Sequence, residues 1–292
     1  RHPHRKRFDM LRKGGRRVEV VLAGDLKGKL VVFVPDITVF SFSPTHEAAL
    51  AKHGLCFATV ARPGYGGTDP APDDAYDATM AADIVALQDQ LGVTSSLLIA
   101  HSTATGYAFR LGGLIPDRLS NIVLLSTLPP MPYLIKRGIV SPWAGAVLRA
   151  AKSTPTLFRL MIAAGLKAWK AMGSRKFAKM QLQDNSGDVE ICNQVEVISA
   201  MDEALAAATV QGVEVATRDL SMATRDWTDW VHACQTPVIM FHGAKNPIAP
   251  IAVVNDFARD FPEMISVVEV PEAGFMVAET HRALLTSLVL DS

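Results

Sequence analysis

The hydrophobic positions of this chain fall into short apolar runs that alternate with longer amphipathic segments. In the first 132 residues, predicted strands lie at 18–22, 30–34, 55–60, 97–100 and 121–126, with predicted helices at 44–53, 78–91 and 107–111 among them. Strands that are apolar throughout are typical of a parallel sheet that is covered on both faces. The alternation therefore predicts an α/β fold with a mostly parallel central sheet flanked by helices.

The alternation stops after residue 132 and returns after residue 232. Residues 133–232 have a helical pattern rich in Ala, Met, Leu and Lys, and two more strands and two more helices are predicted beyond them. A chain of 292 residues is long enough for one large domain with an insertion. We therefore predict a core formed by residues 18–132 and 233–292, and a helical cap or lid formed by residues 133–232.

One predicted strand ends at a serine that lies between small residues. The apolar run 97–100 leads to Ser102, with Ala100 and Ala104 two residues away on either side, and a helical segment follows. A strand, a sharp turn with serine at its apex and a helix form a nucleophile elbow, which presents the serine hydroxyl to a substrate. The usual motif has glycine at both flanking positions, and alanine is the smallest departure from it. The alternative is an exposed loop serine after a buried strand.

Composition narrows the class of protein. Lys+Arg and Asp+Glu each number 29, so the zero net charge favours neither nucleic acid nor an anionic surface as a partner. Cys56, Cys192 and Cys234 lie far apart without metal-ligand spacing, and their odd number argues against a disulfide framework. No apolar run reaches the ~18 residues needed to span a membrane, and the N-terminal region lacks the apolar stretch of a secretory signal. We expect a cytoplasmic protein with no metal, no cofactor and no membrane association.

The N-terminal segment 1–17 is strongly basic. It contains eight Lys or Arg residues and a single acidic residue, Asp9. Such a run is typical of a solvated arm or linker, which is our prediction. The alternative is contact with nucleic acid or with an upstream domain, although no folded DNA-binding motif is visible. Because the chain does not begin with methionine, we expect it to be processed or to be a fragment of a longer protein.

Five short motifs occur in a fixed order along the chain. They are Arg62–Asp69 (RPGYGGTD), Ala100–Ser102 (AHS), Ile115–Leu119 (IPDRL), His242–Pro250 (HGAKNPIAP) and Pro271–Phe275 (PEAGF). In this order and at these intervals they resemble the lid-bearing α/β-hydrolase-fold proteins, over roughly residues 18–290. The resemblance implies an α/β-hydrolase fold in which the helical cap is inserted after the sixth core strand.

The same resemblance assigns positions to a catalytic triad, in which a serine attacks, a histidine takes its proton and a carboxylate orients the histidine. Ser102 occupies the nucleophile position. The acid position, four residues after His242, holds Asn246, and the base position, after the glycine of the last loop, holds Phe275. Asparagine carries no charge to stabilise an imidazolium, and phenylalanine cannot accept a proton. We therefore interpret the triad as dismantled.

Four histidines are candidates to replace the missing base, namely His101, His232, His242 and His281. General-base catalysis requires hydrogen-bond reach to the serine hydroxyl. The alternation along the elbow turn predicts that His101 points away from the serine side, and the others are expected in packed or distant positions. An ordinary structural role is therefore the better interpretation of each.

The loop after the third core strand also departs from the family pattern. Where the family usually has His-Gly, this chain has proline followed by Asp36. We expect Asp36 to face the pocket mouth, where a carboxylate would oppose the negative charge of an oxyanion unless it is turned away or protonated. The backbone amides of Ile37 and Thr103 could still point into the pocket. These three residues, with His101 and the lid residue Trp143, form the predicted ligand-binding set. Ordinary packing is the better interpretation of the other large lid residues, Phe158, Met161, Trp169 and Met172.

Three functions follow as hypotheses. The first is an α/β-hydrolase-like protein that binds a small apolar or acyl-type ligand with little or no catalysis. The second is an active serine hydrolase of esters or lactones, in which Ser102 works with an unconventional base. The third is a ligand-sensing domain of a larger transcription regulator, with a covalently linked DNA-binding domain outside this chain. Cofactor-free oxygen chemistry also occurs on this fold, but it relies on the histidine that Phe275 replaces and is the least favoured.

Overall fold

The computed structural model describes residues 5–139, 150–182 and 186–292, and this part of the chain contains an eight-stranded sheet. The strands are β1 (Arg5–Leu11), β2 (Arg17–Gly24), β3 (Lys29–Val34), β4 (Leu55–Val60), β5 (Ser96–His101), β6 (Leu119–Leu125), β7 (Val238–Gly243) and β8 (Ile265–Val270). All the strands predicted from the apolar runs are present, and β1 is an additional one.

The sheet is mostly parallel, as predicted. Its strand order is β1-β2-β4-β3-β5-β6-β7-β8, and only the pairs β1–β2 and β2–β4 are antiparallel within the described residues. The side chains of the central strands are buried on both faces, as for Ile99 and Val123 on one face and Leu98 and Ile122 on the other. Because β3 to β8 run in one direction, their carboxyl ends meet at one edge of the sheet, which is where ligand sites form in open α/β sheets.

Helices cover both faces of this sheet. They are α1 (Pro44–Lys52), α2 (Tyr76–Leu91), α3 (Thr105–Leu114), α4 (Met131–Lys136), α5 (Pro155–Met172), α6 (Ser174–Gln181), α7 (Ser186–Ile191), α8 (Val195–Thr209), α9 (Glu214–Ala223), α10 (Thr228–Ala233), α11 (Ile251–Arg259), α12 (Val277–Thr280) and α13 (Arg282–Asp291). Leu50 of α1 and Leu285 of α13 pack on one face, whereas Leu87 of α2, Phe109 of α3 and Phe257 of α11 pack on the other. Within the described ranges, no helix combines the length and the apolar character needed to cross a membrane.

The N-terminal segment corrects one prediction, because Arg5–Leu11 forms an edge strand rather than a free arm. The β1 backbone pairs with β2 along its whole length, from Arg5 opposite Ala23 to Leu11 opposite Arg17. Lys6 and Arg7 are exposed on this edge strand, and charged side chains at a sheet edge discourage pairing with other chains. The prediction was wrong because the charge pattern of a segment does not reveal whether its backbone pairs with another strand.

Helices α4 to α10 lie between β6 and β7, where the sequence predicts the cap. A buried polar cluster ties this cap to the core. The Arg62 guanidinium, from the loop after β4, donates to both carboxylate oxygens of Asp219 on α9, at 2.7 and 2.5 Å, and to the Pro35 carbonyl at 2.8 Å. The Tyr65 hydroxyl also donates to Asp219. Arg62 and Asp219 are almost completely excluded from solvent, so α9 is fixed to the core at this point.

Candidate functional site

The end of β5 and the start of α3 form the sharp turn predicted around Ser102. β5 ends at His101, and a single 3₁₀ turn spans Ser102–Ala104 before α3 begins. Ser102 has a φ of +43°, a left-handed conformation that is strained for residues other than glycine. Ala100 and Ala104 are fully buried beside it. The strained turn therefore forms with alanine in both of the positions where glycine is usual.

Ser102 lines a cavity of about 500 Å³ between the carboxyl edge of the sheet and the cap. This volume lies within the ordinary range of small-molecule sites. The apolar wall from the cap includes Met131, Leu134, Met161, Ile162, Leu166, Trp169, Phe177 and Leu182. The polar side chains on the wall are Thr38, Ser102, Thr103, Gln181 and Thr224. Among the described residues, no charged side chain lines the cavity.

Asn246, at the acid position, is engaged by its own loop. Its Oδ1 accepts hydrogen bonds from the N–H groups of Ile248 at 2.9 Å and Ala249 at 3.2 Å. Its Nδ2 is buried and has no hydrogen-bond partner among the described residues. This side chain shapes the turn between β7 and α11, in the way asparagine commonly does, and it supplies no negative charge to the site.

Phe275, at the base position, forms part of the cavity wall. Its ring meets the ring of His101 edge-on, with the centroids 4.9 Å apart. Two hydrogen bonds hold the Phe275 backbone. Its N–H donates to Asp188 at 2.6 Å, and its carbonyl accepts from the Ser126 hydroxyl. An apolar ring in this place offers contact area to a ligand but no proton acceptor.

Asp188 helps to hold the part of the cavity wall formed by Phe275 and Met276, and the sequence alone does not identify it. Asp188 lies in the first turn of cap helix α7 and is fully buried. Its carboxylate accepts hydrogen bonds from the N–H groups of Phe275 at 2.6 Å and Met276 at 3.0 Å. Burial raises the pKa of Asp188, and these two backbone N–H groups oppose the rise. No sequence signal distinguishes it from the other acidic residues that begin helices.

Asp36 corrects a second prediction, because it does not face the pocket mouth. The residue is fully buried and does not line the cavity. Its Oδ1 accepts from the Thr38 N–H, the Thr38 hydroxyl and the Val39 N–H, each at 2.8 Å. Its Oδ2 lies 3.2 Å from His101 Nδ1 and 3.4 Å from the Thr103 hydroxyl. These contacts turn the carboxylate back into its own loop, since that is where the hydrogen-bond donors are.

The electrostatic environment keeps Asp36 ionised. Burial opposes ionisation, but the charge of His101 and hydrogen bonds from His101 and Thr38 together hold the pKa of Asp36 below its usual value. His101 itself is buried and lines only a small cavity of about 20 Å³ beside the larger one. His101, which was predicted in the ligand-binding set, therefore does not line the cavity that Ser102 lines.

The amides of Ile37 and Thr103 lie at the polar end of the cavity. Both residues line it. The Thr103 N–H lies in the first turn of the helical segment, where backbone N–H groups have no intrahelical partner. The Ile37 N–H has no hydrogen-bond partner in the described part of the chain. The described residues therefore give the Ile37 N–H no competing backbone acceptor.

The remaining histidines lie elsewhere. His242 Nε2 bonds the Ala249 carbonyl at 2.7 Å, and burial lowers the pKa of His242 to about 4. His232 packs edge-on against Phe261, and His281 lies between α12 and α13. None of the three lines the large cavity. In the described ranges, no group of three or more His, Cys, Asp or Glu side chains is placed to hold a metal ion.

The predicted lid residues divide into three groups. Met161 and Trp169 line the cavity. Phe158 and Met172 belong to the cap helix α5 but do not line the cavity. Trp143 lies outside the described residues.

A sequence model of the alpha/beta hydrolase fold family matches residues 46–282, which is most of the chain. The chain belongs to this family. The match includes the β5 elbow, the cap and the two loops that hold Asn246 and Phe275. Comparison with curated protein sequences gives no match.

Solved structures show the same fold at low sequence identity. Epoxide hydrolase A from Mycobacterium thermoresistibile superposes with a TM-score of 0.68 at 20% identity, covering 98% of this chain and 97% of that one. A bromoperoxidase from Bacillus anthracis gives 0.70 at 16% identity, covering 98% and 100%. A thermophilic esterase from Thermogutta terrifontis gives 0.58 at 20% identity, covering 98% and 97%. These similarities extend over whole chains and establish the fold.

Proposed function

We propose that this member of the alpha/beta hydrolase fold family binds a small apolar or acyl-type molecule beneath its cap, with little or no hydrolysis. One observation carries the proposal. Ser102 faces a cavity of ligand size in which the position of the catalytic base is a phenylalanine and the described lining contains no histidine or carboxylate. A serine hydroxyl without a base is a weak nucleophile at neutral pH.

The cavity wall suits an apolar ligand. Removing apolar surface from water contributes about 25 cal/mol per Å², and the wall is built largely from Leu, Ile, Met, Phe and Trp side chains. Thr103 follows Ser102 directly, and Thr38 is linked to Thr103 through Asp36. The amides of Ile37 and Thr103 can donate to a carbonyl oxygen in this region. A ligand with one polar end and an apolar body fits both regions.

Binding is tested with a variant that fills the cavity. Gly165 lines the cavity from α5, and a Cβ added there meets no atom within 4 Å. We expect Gly165→Leu to fold normally and to lose binding of γ-decalactone or decanamide, as measured by quenching of tryptophan fluorescence and by the rise in Tm with ligand. Ala164→Leu is the matched control, because Ala164 is on the exposed side of the same helix and does not line the cavity. Equal binding by both variants, or no binding of any probe by the wild type, contradicts the proposal.

Active hydrolysis is the second candidate, because the strained conformation of Ser102 is retained. Strain of order 1–3 kcal/mol is commonly kept at functional sites. Hydrolysis of p-nitrophenyl butyrate by the wild type and by Ser102→Ala separates the two functions. We expect equal rates near the uncatalysed background, since loss of triad residues lowers kcat by about 10⁴ to 10⁶. A much faster wild-type rate that disappears in Ser102→Ala would establish the hydrolase instead.

A further inference from the structure

The polar end of the large cavity is shaped by a carboxylate that does not line it. Asp36 is fully buried behind the loop that carries Ile37 and Thr38. Both of its oxygens are occupied from the cavity side, Oδ1 by the Thr38 hydroxyl at 2.8 Å and Oδ2 by the Thr103 hydroxyl at 3.4 Å. Thr38 and Thr103 both line the cavity. Asp36 therefore acts on a ligand through these two hydroxyl groups.

An ionised carboxylate only accepts hydrogen bonds, so the Thr38 hydroxyl donates its single proton to Asp36 at 2.8 Å, and the Thr103 hydroxyl makes a longer contact of the same direction at 3.4 Å. Toward the cavity, Thr38 and Thr103 then present oxygen lone pairs rather than protons. A ligand head group that donates a hydrogen bond satisfies these lone pairs. A head group that only accepts can pair with the backbone amides of Ile37 and Thr103, but it meets the hydroxyl oxygens unfavourably.

The charges around the cavity also favour an uncharged ligand head group over an anionic one. The described lining of the cavity contains no cation that could balance an anionic ligand. His101 contacts Asp36 at 3.2 Å, and even when it is protonated the pair carries no net positive charge. Burial of an unpaired negative charge in this apolar cavity is strongly unfavourable. An uncharged ligand head avoids this penalty.

We infer that Asp36 sets the ligand selectivity of the cavity. It excludes carboxylates and favours an uncharged head group that donates a hydrogen bond, such as a primary amide or a hydroxyl, on an apolar chain. This inference rests on the proposed ligand-binding function and specifies the class of ligand.

The test compares two probes of nearly the same shape, decanamide and decanoate, at pH 8, where decanoate is ionised. Isothermal titration calorimetry on the full chain gives each Kd. We expect the wild type to bind the amide about tenfold or more tightly than the carboxylate, because the described lining offers no cation to offset the buried charge of decanoate. Equal Kd values for the two probes would overturn the inference and leave the proposed function standing. Binding of neither probe would overturn the inference alone if γ-decalactone binds, and would overturn the proposed function as well if γ-decalactone also fails to bind.

Asp36→Asn tests whether Asp36 is the cause. Asparagine Oδ1 can still accept from the N–H groups of Thr38 and Val39, so the loop keeps those two bonds, while the charge is lost. We expect the preference for decanamide over decanoate to fall at least about fivefold, because the Thr103 hydroxyl is released to donate to the carboxylate. Asp83→Asn is the matched control, because Asp83 is also a buried aspartate but pairs with Arg16 outside the cavity. It should leave the preference unchanged.

Thr103→Val keeps the test decisive if Asp36→Asn does not fold. Valine has the shape of threonine but offers no lone pair to the cavity. Decanamide should bind severalfold more weakly to this variant, with decanoate little changed. An unchanged preference in Asp36→Asn, or in Thr103→Val where the first variant is unfolded, would refute the role given to Asp36.

Discussion

The pKa values of two buried glutamates, Glu47 and Glu279, are shifted in opposite directions. Burial raises the pKa of Glu47 to about 7, the charges of Glu203 and Glu279 add to the rise, and Arg5 opposes it. Glu47 Oε1 is also buried without a hydrogen-bond partner among the described residues. A buried acid without donors takes up a proton, whereas one with donors keeps its charge.

Glu279 is the residue that keeps its charge. Burial opposes its ionisation, but His46, the Ser43 N–H and Arg282 together lower the pKa of Glu279 to about 2. The Ser43 N–H donates to Glu279 at 2.9 Å and the Ser43 hydroxyl at 2.8 Å. This glutamate therefore fixes the backbone at the start of α1.

The first prediction concerns the pH dependence of stability. Between about pH 4.5 and 7 the folded state holds a proton on Glu47 that the unfolded state has released, so the contribution of Glu47 to stability is present at low pH and is lost as the pH rises through 7. Glu47→Gln removes this titration. Compared with the wild type, we expect nearly equal stability at pH 4.5 and a gain of about 2 kcal/mol at pH 8, measured by urea unfolding.

Glu279→Gln is the matched control with the opposite sign. Its lowered pKa means that its stabilisation is present above about pH 4.5 and is lost as the pH falls through 2. The variant should therefore be less stable than the wild type at pH 8. A Glu47→Gln effect that is the same at both pH values would contradict the explanation.

At the scale of elements, helix α9 combines two roles that depend on one buried ion pair. It contributes Leu220 and Ala223 to the cavity wall, and Thr224, the residue after it, also lines the cavity. The pairing of its Asp219 with Arg62 fixes the helix to the loop after β4. Because both charges are excluded from water, neither can be removed without leaving the other unpaired. The ion pair between Arg62 and Asp219, which lies outside the cavity, therefore positions this part of the cavity wall.

The second prediction follows from this pair. Asp219→Asn leaves the Arg62 charge buried without a counter-charge, and we expect a loss of about 3–5 kcal/mol in the free energy of unfolding. Glu214→Gln, on the same helix, removes an exposed pair with Arg159 and should cost less than about 1 kcal/mol. Urea denaturation of both variants checks the difference. Similar losses for the two would show that burial of the pair has no special effect.

At the scale of the whole molecule, the sheet extends to the N-terminal segment. β1 lies at the edge of the eight strands, and ion pairs from its Arg5 and Arg7 to Glu203 on α8 connect that edge to the cap. The same basic residues that suggested a solvated arm therefore join the core and the cap. Pairing along seven residue positions of β2 makes this segment part of the folded unit.

The third prediction separates a strand from a free arm by two adjacent substitutions. Met10 is 4% exposed and Leu11 is 72% exposed, so a strand gives them opposite environments. Met10→Ala should lower the free energy of unfolding by about 2 kcal/mol or more, while Leu11→Ala should change it by less than about 0.5 kcal/mol. Thermal and urea unfolding of the two variants check this. If neither substitution changes the free energy of unfolding, residues 5–11 form a free arm rather than a strand.

The sequence by itself determined the architecture. Apolar runs such as 55–60 and 97–100 are local, and a strand buried on both faces requires that pattern wherever it lies. The five ordered motifs identified the family. By resemblance to it, Ser102, Asn246 and Phe275 occupy the nucleophile, acid and base positions. That the triad is dismantled in function stays a prediction, because residue identity alone does not measure a rate.

The hydrogen-bond partners of the polar residues, in contrast, became visible in the folded structure. Asp36 was expected at the pocket mouth, but donors on Thr38, Val39 and His101 turn it inward, and those donors come from two separate segments. Asp188 holds the Phe275 loop from 87 positions away in the chain. Strand pairing of β1 likewise depends on β2 being in place. Local periodicity records which residues are apolar, whereas the direction of a polar side chain depends on partners that folding alone brings together.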